Sequence, residues 1–101
     1  MGAAMAQRAE NKYVRVDIWV HGYVQRVGFR WWIRCRALEL GLTGSVTNKH
    51  DGRVHIIAEG PREICERLVS LVRQGKTPGR VDLVVENFSP ARGRAGGFHI
   101  R

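Results

Sequence analysis

Residues 13–40 read YVRVDIWVHGYVQRVGFRWWIRCRALEL, and the changes of pattern along this stretch decide the fold. Residues 13–20 alternate strictly between apolar and polar side chains, which predicts a half-buried strand. The segment at 21–28 is bracketed by glycines and is predicted to be a loop. Apolar residues then return at helical spacing over 29–40, and Gly41 stands where a glycine commonly ends a helix.

The second half of the chain repeats this order after a hairpin. Residues 42–49 and 53–59 flank the pair Asp51-Gly52, which is a strong hairpin signal between alternating segments. Pro61 falls in the predicted first turn of a second helix, where its missing N–H costs little, and this helix ends near Gly75. Its apolar stripe consists of Ile64, Leu68, Leu71 and Val72.

Two further strands complete the order of elements. Val81, Leu83 and Val85 alternate in one, and residues 98–100 form a short last strand. This order of strands and helices is that of the split βαβ, ferredoxin-like α+β fold. We therefore expect an antiparallel sheet with both helices on one face. The fold serves RNA-binding modules and small enzymes alike, so it does not decide the function.

Length and composition are those of one small globular domain. The chain has 101 residues, of which 44% are hydrophobic and 26% are charged, and this argues against disorder. We assign residues 1–12 to a flexible leader and residues 13–101 to the domain. No apolar run approaches the roughly 20 residues that span a bilayer, and the leader lacks the apolar region of a secretion signal. We therefore expect a cytoplasmic protein.

The two cysteines, Cys35 and Cys65, do not suggest a metal site. They lack Cys-x-x-Cys spacing and no histidine cluster accompanies them, so we expect no metal. They lie on the two predicted helices, which this fold packs side by side, so a disulfide is the alternative to two thiols. A reducing cytosol favours the thiols.

Net charge is the unusual feature of the composition. The chain has 17 Lys and Arg against 9 Asp and Glu, a net charge of +8. Such an excess predicts attraction to an anion, which could be a nucleic acid, an anionic membrane surface or a phosphorylated small molecule. The basic residues are spread along the chain, without the run of five or six like charges typical of a nucleic-acid-binding tail.

The loop at 21–28 is the segment best suited to hold an anion. It joins a strand to the start of a helix, so backbone N–H groups and the positive end of the helix can converge there. Arg30, in the first helical turn, can add a planar fork of donors that fits phosphate. The alternative is a tight turn followed by a solvated arginine. Asn48, before the hairpin, could hold a water through its amide or simply form a turn.

The loop and the start of the helix also carry a family resemblance. The residues from His21 to Arg30, HGYVQRVGFR, closely resemble the acylphosphatase signature Gly-x-Val-Gln-Gly-Val-x-Phe-Arg. The resemblance covers about residues 13–101. It continues in order through Leu40-Gly41-Leu42-Thr43-Gly44, Val46-x-Asn48, Asp51-Gly52-x-Val54, Ala58-Glu59-Gly60, Gln74-Gly75 and Gly97-Phe98-His99-Ile100.

This resemblance implies hydrolysis of the carboxyl–phosphate bond of small acyl phosphates, without a metal or a cofactor. By position, Arg30 is the phosphate-binding arginine and Asn48 is the residue that orients the attacking water. Acetyl phosphate, carbamoyl phosphate and 1,3-bisphosphoglycerate are all plausible substrates for the family. We expect a monomer with no nucleic-acid or membrane partner. The resemblance assigns the phosphate cradle to the backbone of Gly22, Tyr23, Val24, Gln25, Arg26 and Val27.

Three positions depart from the family pattern. Arg26 replaces the glycine after Gln25, and a positive φ there would cost an arginine on the order of 1–3 kcal/mol. Tyr23 stands where a basic residue is frequent, so we hypothesise that Arg26 restores part of the lost charge. Ser45 stands where an aromatic residue often follows the motif's glycine, which weakens the expected packing near Asn48.

Two alternative functions remain open. If Arg26 loosens the cradle, the chain is a catalytically impaired, phosphate-binding relative of the family. If the fold is an RNA-binding module, it needs aromatic side chains on its central strands to stack bases. The strand at 53–58 has no Phe, Tyr or Trp, and Trp19 alone is a weak platform.

The first helix carries two tryptophans and two further arginines after Arg30. Trp32 fits the apolar stripe, and Trp31 falls at its margin because adjacent helical residues point in different directions. Arg34 and Arg36 are interpreted as a solvated face.

Overall fold

The computed structural model describes residues 13–93 and 96–101, so the leader assigned to residues 1–12 lies outside the described residues. Five strands and two helices follow one another in the predicted order. They are β1 (Tyr13–Tyr23), α1 (Phe29–Glu39), β2 (Thr43–Asn48), β3 (Val54–Pro61), α2 (Arg62–Arg73), β4 (Arg80–Pro90) and β5 (Phe98–Ile100).

The strands form one mixed sheet in the order β4-β1-β3-β2-β5. The four long strands pair antiparallel, with Val16 opposite Ala58 in the centre. The short β5 pairs parallel to β2, with Ile100 beside Val46. The predicted ferredoxin-like α+β fold is confirmed, with one correction, since the sheet is mostly rather than wholly antiparallel.

Both helices pack against the same face of the sheet. The inward residues of β1 and β3 form a continuous apolar core with α1 and α2, because alternate residues of a strand share a face. In α1 the buried residues are Phe29, Ile33 and Ala37. In α2 they are Cys65, Leu68, Val69 and Val72, which adds Cys65 and Val69 to the stripe expected from the sequence and leaves Leu71 half-buried.

Strand β1 runs three residues beyond its predicted end, into the segment interpreted as a loop. Its pairing with β4 shifts register between His21 and Gly22, and Gly22 has a φ of 139°. A Cβ atom at Gly22 would lie 2.1 Å from the carbonyl oxygen of Arg80. The strand therefore continues because this glycine permits a bulge in close contact with β4.

Two other expectations need correction. Pro61 ends β3 with a φ of −57° and a ψ of 139°, so it precedes the first turn of α2 instead of lying inside it. In β4 the alternation is present, but Val84 is buried, while Leu83 is 52% exposed and Val85 is 45% exposed. Leu83 and Val85 of this edge strand thus face away from the helices, whereas Phe88 packs against the core.

Both cysteines are free thiols in the structure, as the sequence favoured. Cys35 is half-buried and Cys65 is fully buried beneath the end of β3. Burial raises the pKa of the Cys65 thiol to about 11, because the thiolate would lose its hydration. Cys65 is therefore a packing residue without nucleophilic character.

Candidate active site

The segment 24–28 crosses from the end of β1 to the start of α1. Gly28 is the N-cap of α1 in the left-handed conformation, with a φ of 85° and no side-chain cap. Within the residues that the structure describes, the N–H groups of 25–28 make no backbone hydrogen bond. The first N–H groups of any helix also lack intrahelical partners. The loop and helix end therefore offer a set of backbone donors to an anion.

Arg26 lies at the crest of this loop. It adopts a φ of 65° and is the one residue other than glycine with positive φ among the residues described. The left-handed conformation costs an L-residue roughly 1–2 kcal/mol. The strain considered for an arginine at this position is therefore present. Its side chain is exposed at the rim of the site.

Gln25 ties the loop to the hairpin between β2 and β3. Its Nε2 donates to the carbonyl oxygen of Lys49 at 2.7 Å and to that of Arg53 at 3.0 Å. Two such bonds from a half-buried amide hold the loop against the turn that follows Asn48. The side chain of Gln25 therefore holds the loop in place.

Gly79, a residue that the sequence analysis did not single out, packs against the loop from the other side. A Cβ atom here would lie 2.1 Å from the carbonyl oxygen of Tyr23 and 2.9 Å from Cγ2 of Val27. Gly79 has a φ of 77° and follows Pro78, and this Pro-Gly pair was the available signal of a special turn. The segment before β4 thus fixes the loop by direct contact.

Arg30 is half-buried in the first turn of α1. Its Nη1 donates to the backbone oxygen of Arg101 at 2.7 Å. Over residues 13–93 and 96–101, neither Arg30 nor Arg26 pairs with an Asp or Glu side chain, whereas six other arginines do, among them Arg36 with Glu39. The positive charge of Arg30 is therefore available to an incoming anion.

Arg34 lies one turn further along α1 and is not the solvated residue expected from the sequence. It is half-buried, and its Nε donates to the carbonyl oxygen of Phe98 at 2.9 Å. Together with Arg30 it attaches strand β5 to the helix. This contact joins residues 64 positions apart, so no local pattern predicts it.

Asn48 is the last residue of β2. Its Oδ1 is buried and has no hydrogen-bond partner within the described part of the chain. Two residues earlier, the carbonyl oxygen of Val46 accepts a 2.8 Å hydrogen bond from the N–H of Arg101, the residue that also contacts Arg30. Asn48 therefore lies at the same end of the sheet as Arg30. A buried oxygen without a partner is rare in folded proteins, and Oγ1 of Thr77 is the other side-chain example among the described residues.

An open pocket of about 160 Å³ lies where the loop meets the helix. A single water needs only some 10–15 Å³ by the same measure, so the pocket has room for a small anion. Of the residues predicted for the site, it brings together Val24, Arg26 and Arg30, with Asn48 outside the lining. The full lining consists of Val24, Arg26, Gly28, Phe29, Arg30, Trp31 and Ile100.

Two residues of the predicted cradle lie in the sheet. Gly22 and Tyr23 belong to β1 and pair with Val81 and Arg80 of β4, so the loop itself begins at Val24. Sequence reasoning also missed Gly28, Phe29, Trp31 and Ile100 as lining residues. Gly28 was recognisable in the sequence as the end of the loop, but no local sequence pattern predicts that residue 100 lies at this pocket.

Neither a cluster of metal-ligating side chains nor a membrane-spanning helix is found among the described residues. In the part of the chain that the structure describes, no three His, Cys, Asp or Glu side chains come together as metal ligands would. No helix of the described ranges is long and apolar enough to cross a bilayer.

Fold and pocket together define a small ferredoxin-like α+β domain with a pocket lined by two arginines at the start of its first helix. Comparison with known proteins makes this class specific. The acylphosphatase family model matches residues 16–100, and the chain belongs to that family. It is therefore an enzyme of the acylphosphatase class.

Relatives and solved structures agree with this assignment. The acylphosphatase of Nocardia farcinica is 67% identical over 88 residues, which cover 87% of this chain and 88% of the relative. That of Thermobifida fusca is 61% identical over 87% of this chain and 97% of the relative. The crystal structure of Bacillus subtilis acylphosphatase has a TM-score of 0.81 at 35% identity, covering 87% of this chain and 98% of that one.

Proposed function

We propose that this acylphosphatase works through the backbone of the loop at 24–28, the guanidinium of Arg30 and the side-chain amide of Asn48. The substrate is a small acyl phosphate, and the products are a carboxylate and inorganic phosphate. The observation that carries the assignment is Arg30, a cation with no Asp or Glu partner among the described residues, lining a pocket at the start of a helix.

Phosphate binding is assigned to the loop and Arg30. The N–H groups of residues 25–28 and of the first turn of α1 would donate to the phosphoryl oxygens. The guanidinium of Arg30 can use Nη1 for the oxygen of Arg101 and still offer its remaining N–H groups to the phosphate. Donors held in place before the reaction stabilise the charge that develops in the transition state.

The attacking water is assigned to Asn48. Its buried Oδ1 can accept a hydrogen bond from the water, which aims an oxygen lone pair at phosphorus. Orienting the water in line with the leaving carboxylate is a positioning effect. The carboxylate is a good leaving group, so protein residues need not protonate it, and the reaction needs no metal or cofactor.

Arg26 adds a second cation at the rim. Its place in the lining supports the hypothesis that it compensates for Tyr23, which occupies the position of a frequent basic residue. The impaired alternative predicts that the left-handed Arg26 disorders the amides. The bonds from Gln25 and the close packing of Gly79 favour an ordered loop and hence the active alternative.

We further propose that the enzyme acts as a monomer in the cytoplasm, with no nucleic-acid or membrane partner. Two free thiols suit a reducing compartment. Light scattering of the purified protein measures the mass directly, and a dimer at micromolar concentration would contradict this part of the proposal.

Hydrolysis of benzoyl phosphate and acetyl phosphate, assayed in EDTA, tests the central proposal. Wild type should release phosphate, and Arg30→Ala and Asn48→Ala should each lose most of this activity while retaining the circular dichroism of the folded chain. An inactive wild type that still binds phosphate would favour the impaired alternative. Activity that disappears in EDTA and returns with a divalent cation would overturn the metal-free assignment.

A further inference from the structure

Beyond the phosphate cradle, the pocket has an apolar side that the proposed mechanism does not use. We propose that Trp31 and Ile100 form an acyl-group wall that selects acyl phosphates with apolar, planar acyl groups, aryl groups above all. This inference rests on the proposed function, because it concerns the other half of the same substrate. Trp31 is 60% exposed and Ile100 is 37% exposed, and both line the pocket beside Arg30.

The acyl-group wall lies beside the proposed phosphate cradle because its two residues line the same pocket. Trp31 and Arg30 line the same pocket, so a phosphate held by Arg30 leaves its acyl group near the indole. Ile100 approaches from strand β5, where it pairs with Val46. A large indole and a branched aliphatic side chain exposed at one pocket are suited to contact with an apolar group, which would remove both from water.

Contacts within the protein hold the wall in place before a substrate binds. The guanidinium carbon of Arg34 lies 5.6 Å from the centroid of the Trp31 ring, within the range of a cation–π contact. Nε of the same arginine donates to the carbonyl oxygen of Phe98, two residues before Ile100. Arg34 therefore links both halves of the wall. Side chains that are ordered beforehand lose less freedom when a ligand binds.

The rim also carries one side chain that would favour a different substrate. Arg26 lines the same pocket and is exposed, so its charge would attract an acyl group bearing a carboxylate. The two possibilities make opposite predictions for the same assay. The wall favours benzoyl phosphate, whereas Arg26 would favour succinyl phosphate.

The test compares kcat/KM for benzoyl phosphate with kcat/KM for acetyl phosphate in wild type, Trp31→Ala, Trp31→Phe and Ile100→Ala. The ratio cancels any general loss of active enzyme. Comparing the ratio between variants also cancels the intrinsic reactivity of each substrate. An aromatic pair contributes enough that Trp31→Ala should lower the ratio roughly three- to tenfold, and Ile100→Ala should lower it less. Trp31→Phe should keep most of the preference.

Leu38→Ala is the matched control, because Leu38 is 44% exposed on the same helix but does not line the pocket. This control should leave the ratio unchanged. The inhibition constant of inorganic phosphate should stay within about twofold of wild type in Trp31→Ala, because the cradle is intact. A ratio unaltered by Trp31→Ala, or a preference for succinyl over benzoyl phosphate, would overturn the inference.

A binding measurement separates this inference from the proposed function. Phenylphosphonate and methylphosphonate are not hydrolysed, so calorimetry gives their dissociation constants even if the protein is inactive. Tighter binding of phenylphosphonate that is lost in Trp31→Ala supports the wall. If wild type hydrolyses neither acyl phosphate, the proposed function is wrong, whatever the binding of the two phosphonates shows. Equal binding of the two phosphonates overturns the wall by itself.

Discussion

Arg30 donates a 2.7 Å hydrogen bond from Nη1 to the backbone oxygen of Arg101, 71 positions later in the chain. The N–H of Arg101 in turn donates to the carbonyl oxygen of Val46, two residues before Asn48. The end of β5 thus lies between the two side chains assigned to catalysis. An edge strand of three residues contributes little core, but it determines where the guanidinium of Arg30 points.

Arg30→Lys tests this positioning while keeping the charge. A lysine is a point charge without the planar fork, so it cannot contact Arg101 and also present two parallel donors to phosphate. We expect Arg30→Lys to lower kcat/KM for benzoyl phosphate at least tenfold, and Arg30→Ala to lower it by a factor on the order of 10²–10³. Arg36→Lys, on the same helix but paired with Glu39, is the control. Wild-type activity in Arg30→Lys would show that charge alone suffices.

Asn48→Ala separates the water-orienting role from a turn-forming one. We expect kcat to fall at least tenfold with little change in KM, because a positioning effect acts on the transition state. The free energy of unfolding should change by less than about 1 kcal/mol or rise, since an unsatisfied buried oxygen is removed. Asn87→Ala, an exposed asparagine of β4, is the control. Lost stability with unchanged kcat would support the turn-forming role instead.

Arg26 combines strain and charge, and two substitutions separate them. Arg26→Gly relieves the left-handed conformation, so it should raise the melting temperature despite the greater freedom of the unfolded chain. Arg26→Gln keeps a side chain in that conformation but removes the charge. Inorganic phosphate should then inhibit about twofold to fivefold more weakly at low salt, a difference that 0.5 M NaCl should abolish. Tighter inhibition by phosphate in either variant would refute the compensating role of Arg26.

His55 predicts a pH dependence of stability. Its ring stacks on Trp19 with centroids 3.9 Å apart, and its Nε2 lies 2.8 Å from Oδ1 of Asp17. Burial lowers the pKa of His55 and outweighs the opposing effect of Asp17. Burial raises the pKa of Asp17, but hydrogen bonds from Arg15 and His55 outweigh it, so the net shift is downward. The folded His55 is neutral and donates from Nε2 to the carboxylate.

Both pKa shifts make the free energy of unfolding fall as the pH falls, since a lowered pKa in the folded state means that the unfolded chain binds more protons. The contribution of His55 is present above its ordinary pKa of about 6.5 and is lost as the pH falls through the lowered value. Urea unfolding at pH 7, 6 and 5 should therefore show declining stability. His55→Gln should show a smaller decline, whereas His50→Gln in the exposed hairpin should follow wild type. Equal slopes for wild type and His55→Gln would contradict this account.

The elements of the fold follow from local patterns of the sequence. The alternation at 13–20, the helical spacing from Phe29 and the Asp51-Gly52 pair each act within a few residues, so they can be interpreted without the rest of the chain. The loop at 24–28 and Arg30 are local too, because a helix N-terminus carries its donors wherever it lies. Of the excess of basic residues, the two that are assigned to the site, Arg26 and Arg30, both line the pocket.

Contacts between distant segments were beyond the reach of the sequence. The bulge at Gly22 depends on the close approach of β4, and the burial of Val84 in place of Leu83 depends on that register. Neither Trp31 nor Ile100 carries a local signal of a pocket, since one is at the margin of its helix and the other on an edge strand.

The sequence by itself determined the order of elements, the ferredoxin-like class and the residues that could bind and hydrolyse an acyl phosphate. Only the tertiary structure decided that Arg101 accepts a hydrogen bond from Arg30, that Oδ1 of Asn48 is buried without a partner among the described residues, and that Trp31 and Ile100 line one pocket with Arg30. The physical reason is that propensity and periodicity act over a few residues. Hydrogen bonding and burial depend on which segments the closed sheet brings together.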